Sequence, residues 1–201
     1  MESLNSDQVD LAKLLRDKAY EYKEVPFNLS AGGKSHDYVD LRRGLSNGSD
    51  LKLVAETAVQ MIEAFGYSFA TPNGKQNSLS KSINAVGGLT MGADPISHAI
   101  SIITGISWFS VRKEAKSHGK MRQIEGVHLN STSNVLLVDD VVSTGRSIFD
   151  AIDSVRASNA NIVLAMSILD RGDITKALCK KEEINYISLC TYSDIGIEPL
   201  T

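Results

Sequence analysis

Cysteine is scarce in this chain: Cys179 and Cys190 are the only two in 201 residues, and they form no CxxC pair. Two thiols so placed make neither a disulfide framework nor a zinc-ligand set, so both are expected to be buried and reduced. Long apolar runs are missing too. No stretch approaches the about 20 residues that a membrane span needs, and the N-terminal MESLNSDQVDLAKLL carries acids where a secretory leader has an apolar core. A soluble cytoplasmic protein with no membrane partner is expected. Neither sign of charge is in excess: 21 Lys and Arg against 24 Asp and Glu give a net charge of -3. That balance excludes a broad nucleic-acid-binding surface, so any anion site must be local. Internal repeats, low-complexity tracts and the GxxxxGK[ST] run of a P-loop are also absent.

What is present is concentrated in Asn134–Ile152, NVLLVDDVVSTGRSIFDAI. The unbroken apolar run Val135–Val138 predicts a strand covered on both faces of a parallel sheet. Asp139 and Asp140 follow at its carboxyl end, where open α/β sheets place their ligands. Ser143, Thr144 and Gly145 then give hydroxyls and a tight turn, and a helix beginning near Arg146 adds its positive dipole end, a combination suited to phosphate. Two acids beside a phosphate cradle make sense when the ligand also presents hydroxyls or carries a divalent cation, as a sugar phosphate does. A strand ending in acids also describes the Walker B strand of nucleotide hydrolases or the acid pocket of a receiver domain. The missing P-loop argues against the first, and the position of the acids two-thirds along the chain argues against the second.

At this length one domain is expected, able to bury roughly 70% of its unfolded surface without a staple. Residues 7–23 show apolar positions at three- and four-residue steps, which predicts an amphipathic helix with Ser6 as N-cap. FNLSAGGKSHDYVDLRR, residues 27–43, alternates around a Gly-Gly turn and predicts a hairpin or short strands. Ser49 and Asp50 open a second helix over 51–65, with Gly66 as its stop. Residues 71–81 read as a polar loop. From Ser82 onward strands and helices alternate: strands over 82–87, 107–111, 135–138, 162–169 and 184–189, with helices over 93–105, 147–158 and 173–181. The expected architecture is α/β, a doubly wound and mainly parallel sheet over 81–201 joined to a smaller N-terminal lobe over 1–80 in a single domain.

A second feature is the basic loop RKEAKSHGKMRQIEG, residues 112–126, with Arg112, Lys113, Lys116, His118, Lys120 and Arg122 around Gly119. Read alone, it is either a solvated charged loop or a lid that supplies cations where a leaving group develops charge. His36, His98 and His128 have no spacing suited to metal ligation.

With these motifs in order, the chain resembles the orotate phosphoribosyltransferase family, within the type I phosphoribosyltransferases. VLLVDDVVSTG is similar to their phosphoribosyl-diphosphate motif, RKEAKSHG to the flexible loop of the orotate members, and FNLSAGGKSHDYVDLR to their N-terminal hood. VGGLTMGADPIS resembles the diphosphate loop and ILDRG the orotate-side strand end. The matches run from about Phe27 to Gly172 and imply a type I phosphoribosyltransferase fold.

The resemblance implies transfer of a phosphoribosyl group from 5-phosphoribosyl 1-diphosphate to orotate, with magnesium carried by the diphosphate near Asp139 and Asp140 rather than ligated by a set of side chains. It makes Lys116, His118, Asp139 and Asp140 the catalytic residues. Arg112, Lys113, Thr90 and Met91 would contact the donor's diphosphate, and Val141, Val142, Ser143, Thr144, Gly145, Arg146 and Ser147 its 5′-phosphate. Ser143, Arg171, Tyr38 and Val39 would hold orotate, Arg171 through its planar fork. The loop further implies a homodimer, with Arg112, Lys116 and His118 reaching a neighbouring subunit's site. Relatives have a lysine where Gly92 stands, and some have one at Ser30; Lys34 is a candidate substitute. Two other readings stay open: a phosphoribosyl-diphosphate-sensing regulator without catalysis, and a transferase for another base.

Overall fold

In the computed structural model, which describes residues 4–28, 33–70, 81–113 and 123–200, Asn5 opens the first helix. Its side chain accepts the Gln8 amide at 2.8 Å and its own amide donates to the Gln8 side chain at 3.2 Å, a capping box that starts α1 (Ser6–Leu14). The cap is thus one residue earlier than Ser6. The helix also ends sooner than residue 23: one π-helical turn, Leu15–Ala19, leads into the strand β1 (Tyr20–Asn28). Pairing wins over helical periodicity here. β1 runs antiparallel to β2 (Lys34–Val39), and the Asp40 amide donates to the Ala19 carbonyl at 2.9 Å. The expected hairpin is present, but DLRR is not part of it. The Asp40 carboxylate accepts the Arg42 and Arg43 amides at 3.1 and 3.3 Å, capping the short helix α2 (Leu41–Gly44).

The helix α3 (Gly48–Ala64) is capped by Asn47 rather than Ser49, and Gly66 at positive φ stops it as expected. Two short strands, β3 (Ser68–Phe69) and β4 (Ser82–Ile83), pair in parallel at the margin. The main sheet follows: β5 (Ala85–Leu89), α4 (Asp94–Thr104), β6 (Ser107–Val111), β7 (Ile124–Gly126), β8 (Asn134–Val142), α5 (Arg146–Arg156), β9 (Asn161–Asp170), α6 (Ile174–Lys181) and β10 (Tyr186–Thr191). Its order is β10-β9-β8-β5-β6-β7, parallel except for β7, which runs antiparallel on the edge. β7 was not anticipated, because three residues after a charged loop carry no strand pattern of their own.

The run Val135–Val138 is buried because the sheet is covered on both sides. Leu136 and Val138 join one apolar cluster with α1, α3 and α4, while Val135 and Leu137 join a second with residues of α5 and α6. The order of the strands reverses between β5 and β8, the parallel pair at the centre. They pair only over Ala85–Gly87 and Val135–Leu137, and beyond that point they separate. Gly88 sits at the parting, where a Cβ would lie 2.0 Å from the Val138 carbonyl oxygen. The cleft at this switch point is where ligands of open α/β sheets bind.

Candidate active site

β8 carries Asp139 and Asp140 into the cleft, and successive side chains of a strand point to opposite faces. Asp139 is 4% exposed. Burial pushes its carboxyl well above the usual range, and the neighbouring Asp140 charge pushes it further; the Asp140 amide, donating at 3.0 Å, and the Lys113 charge oppose this. Asp140 turns the other way and accepts the Val141 amide at 2.8 Å. Its carboxylate lies against Gly92, where a Cβ would stand 2.7 Å from Oδ1.

Both acids line a cavity of about 670 Å³. Thr90, Met91 and Gly92 form one wall, Arg112 and Lys113 another, with Ser110, Glu125, Ser147 and Arg42 around them. The Thr90–Met91 peptide is cis. This loop is tied down from α4: Asp94 accepts the Thr90 hydroxyl at 2.6 Å and also the Ser110 hydroxyl from β6. A second cavity of about 430 Å³ adjoins the first, sharing Asp139, Lys113, Leu89 and Ser147. Val141, Val142, Ser143, Thr144, Gly145 and Arg146 line it, with Asp150. Gly145, at φ +74°, turns the chain into α5, so the amides of the first helical turn and the hydroxyls of Ser143, Thr144 and Ser147 border this space. The arrangement suits one ligand with a phosphate at one end, hydroxyls beside the acids and a second anionic group at the other end.

The structure brings together Asp139, Asp140, Arg112, Lys113, Thr90, Met91 and the 141–147 loop around two adjoining cavities. Lys116 and His118 lie outside the described residues, as does Ser30. Arg112 is 3.7 Å from Glu125 of β7. Lys34 is exposed at the start of β2 and borders neither cavity.

Arg171, Tyr38 and Val39 do not border those two cavities either. Arg171 is 3% exposed, so it is not a surface residue. It follows β9, where its amide donates to the Val142 carbonyl at 2.8 Å, and its guanidinium reaches the hairpin: Nη1 donates to the Asp37 carbonyl at 2.8 Å and Nη2 to Ser35 Oγ at 3.5 Å. Nε is buried without a partner among the described residues. Burial lowers the Arg171 pKa, opposed by Asp37 and Tyr20, yet a guanidinium stays cationic. Tyr38 and Val39 are neighbours on one strand and so point apart. The Tyr38 ring packs edge-on to Phe27 with Lys23 above it, whereas Val39 packs against the core. The two side chains do not form one platform. Behind Arg171, Asp170 accepts the Gly172 amide at 3.1 Å and the Tyr186 hydroxyl at 2.9 Å, which fixes the turn. Burial raises both the Asp170 and Tyr186 pKa values.

Sequence reasoning missed Arg42, Asp94 and Ser110. The signal for Asp94 was the acid in the first turn of a helix straight after the loop; for Arg42 it was Asp40 as a helix cap within DLRR. The two thiols are buried, and burial pushes Cys179 to about 11 and Cys190 to about 12.

No protein-family profile matches the chain. Among individual proteins, an orotate phosphoribosyltransferase of Corynebacterium glutamicum is 33% identical over 198 residues, covering 97% of each chain. One from Aquifex aeolicus is 31% identical over 191 residues, covering 92% of this chain and 95% of its own. A crystal structure of the Mycobacterium tuberculosis orotate phosphoribosyltransferase in complex with 5-phospho-α-D-ribosyl 1-diphosphate superposes with a TM-score of 0.72 at 27% identity, covering 95% of this chain and 99% of that one.

Proposed function

Since the chain belongs to the orotate phosphoribosyltransferase family, we infer that it is an enzyme transferring the phosphoribosyl group of 5-phosphoribosyl 1-diphosphate to orotate. The products are orotidine 5′-monophosphate and diphosphate, in pyrimidine biosynthesis. The end-to-end identity of 33% to a relative of that name carries the conclusion. It favours this reading over a regulator without catalysis and over a transferase for another base.

The chemistry breaks the bond from C1′ of the ribose to the diphosphate oxygen and forms one from C1′ to a ring nitrogen of orotate. Positive charge grows on the ribose ring and negative charge on the leaving group. Asp139 and Asp140, on opposite faces of β8 in one cavity, support a role in holding the ribose hydroxyls and stabilising the cationic ring. The amides and hydroxyls of 143–147 at the start of α5 suit the 5′-phosphate. Arg112 and Lys113, which line the same cavity as Thr90 and Met91, suit the departing diphosphate. Lys116 and His118 are proposed to join them when the loop covers the site. Arg171, fixed beside Val142 by its own amide, is proposed to pair with the orotate carboxylate, with Ser143 next to it. The carbonyl of Ser143 would lie 3.4 Å from a Cβ on Gly172.

Magnesium is proposed as the metal. Asp139 and Asp140 offer oxygen donors, but no group of three or more His, Cys, Asp or Glu comes together among the described residues. An ion that binds through one or two carboxylates plus phosphate oxygens and keeps its waters fits that donor set, carried by the diphosphate. When bound it neutralises charge on the leaving group.

A homodimer with shared sites is also proposed. Ile102 is 83% exposed on α4, with Ile103 and Trp108 part-exposed near it, and such apolar surface supports a subunit contact. Among the described residues no helix is long and apolar enough to cross a membrane, in keeping with the proposed cytoplasmic location. Incubating the protein with magnesium, 5-phosphoribosyl 1-diphosphate and orotate, adenine or uracil tests the function. Orotate alone should be consumed; donor binding without orotate turnover would sink the reading in favour of the regulator. Mixing inactive Lys116→Ala and Asp139→Ala proteins tests the dimer, since shared sites restore part of the activity and unshared sites restore none.

A further inference from the structure

The diphosphate end of the cavity has a wall that cannot supply a side chain. A Cβ on Gly92 would stand 2.7 Å from Asp140 Oδ1 and 2.9 Å from its Cγ, so the carboxylate occupies the space a longer residue would need. Asp140 itself adds negative charge where an anionic leaving group must sit. Elsewhere in the lining, Arg112 lies 3.7 Å from Glu125, and Lys113 interacts with Asp139. These two cations are already partly balanced by acids of the same cavity.

Arg42 is a third cation in this cavity, and it shares a further pocket of about 160 Å³ with Gly92 and Asp140. Among the described residues only its Nε has a protein partner, Asp40 Oδ1 at 3.5 Å, and that oxygen already accepts two amides. Among the described residues no acceptor takes its two terminal nitrogens, and the side chain is 54% exposed. Its base is rigid. Leu41 and Leu45, on either side, are buried, and Gly44 is packed so tightly on Ala19 that a Cβ would come within 2.6 Å of the Ala19 Cβ. A planar donor pair on a fixed support, next to a carboxylate and open to the cavity, matches a bidentate phosphate ligand.

We propose that Arg42, on the helix that follows the N-terminal hairpin, is a substrate-binding residue that holds the diphosphate of the donor on the Gly92 side of the cavity. It supplies the cation that this wall lacks. Lys34, exposed at the far end of β2, does not. The proposal rests on the transferase reading, which fixes the ligand as a diphosphate.

Calorimetric titration with inorganic diphosphate and magnesium, and steady-state kinetics in both substrates, test it on the full-length protein with Arg42→Ala, Arg42→Lys and Arg43→Ala. Arg43 is exposed, pairs with Glu21 and borders neither cavity, so it controls for general loss of charge. Arg42→Ala is expected to weaken diphosphate binding and raise the KM of the donor by about ten- to hundredfold, the loss of a charge-assisted bond. The KM of orotate should change by less than about threefold. Arg42→Lys should recover part of the loss and Arg43→Ala should match the wild type. Unchanged diphosphate affinity in Arg42→Ala overturns the proposal, as does a rise in the KM of orotate equal to that of the donor. If Arg42→Ala unfolds, Arg42→Gln, which keeps the aliphatic stem, decides by the same titration. Absence of orotate turnover in the wild type, with diphosphate binding still dependent on Arg42, would sink the transferase reading and leave the anion site standing.

Discussion

Replacing Arg171 with alanine should separate two jobs of one side chain. The guanidinium joins the end of β9 to the hairpin through the Asp37 carbonyl at 2.8 Å and, more weakly, Ser35 Oγ at 3.5 Å. A hydrogen bond from a charged donor contributes about 1.5–3 kcal/mol, and the truncation leaves a gap. Against this, removal of a buried cation with no carboxylate in hydrogen-bond contact relieves desolvation. The net cost should be about 1–3 kcal/mol, which for a domain of this size lowers Tm by about 2–12 °C. The orotate carboxylate would lose its ionic partner in the same variant, raising the KM of orotate about ten- to hundredfold while that of the donor stays near the wild-type value. Arg171→Lys keeps the charge but not the fork, so it should fall between the two. Scanning fluorimetry and initial rates at saturating donor measure both effects. A folded Arg171→Ala enzyme whose orotate KM stays within about twofold of wild type would refute the assignment and leave Arg171 as a clamp on the hairpin.

Three further outcomes follow from the site. Asp139 has its pKa raised by burial and by Asp140, so between the ordinary aspartate range and the raised value the native state holds more protons than the unfolded chain. The stability associated with its protonated form is therefore present at low pH and lost as pH rises through the native pKa. Asp139→Asn should melt progressively higher than wild type as pH increases while losing activity; a melting difference that does not vary with pH would contradict this. Gly88→Ala would set a Cβ 2.0 Å from a backbone oxygen, so the strands must shift, at a cost of roughly 3 kcal/mol or more, measurable by urea unfolding. Asp94→Ala frees the Thr90 hydroxyl and the Ser110 hydroxyl together. It should raise the KM of the donor several-fold with little change for orotate, and a reverse pattern would place the loop elsewhere in the mechanism.

The proposed donor half of the site stands out in the sequence because it is local. One segment supplies the doubly covered strand, both acids, the turn and the helix start, and each leaves a mark within a few residues of sequence. For the proposed orotate half the sequence offers Arg171 and not its surroundings. What that arginine touches, Asp37 and Ser35, is set by packing between segments more than 130 residues apart. The resemblance assigns both Tyr38 and Val39 to orotate, yet alternation along β2 divides them. The strand at Tyr20 was hidden inside a helical pattern because its partner lies across a hairpin. Arg42 was hidden for the opposite reason, since an alternating pattern masked the Asp40 cap.

The early parting of β5 and β8 has a consequence for how this site can change. Past Gly87 the ladder of β8 continues to Val142 with β9 alone. The recess for the donor is thus a property of strand lengths and one crowded glycine, and substitutions on its rim alter the charge of the recess without closing it. In the proposed reading the acceptor base is met by parts that arrive from outside this segment, the turn after β9 and the hairpin it grips. On that reading donor chemistry and base choice are carried by separable pieces of chain, and a new base would require remodelling only the second.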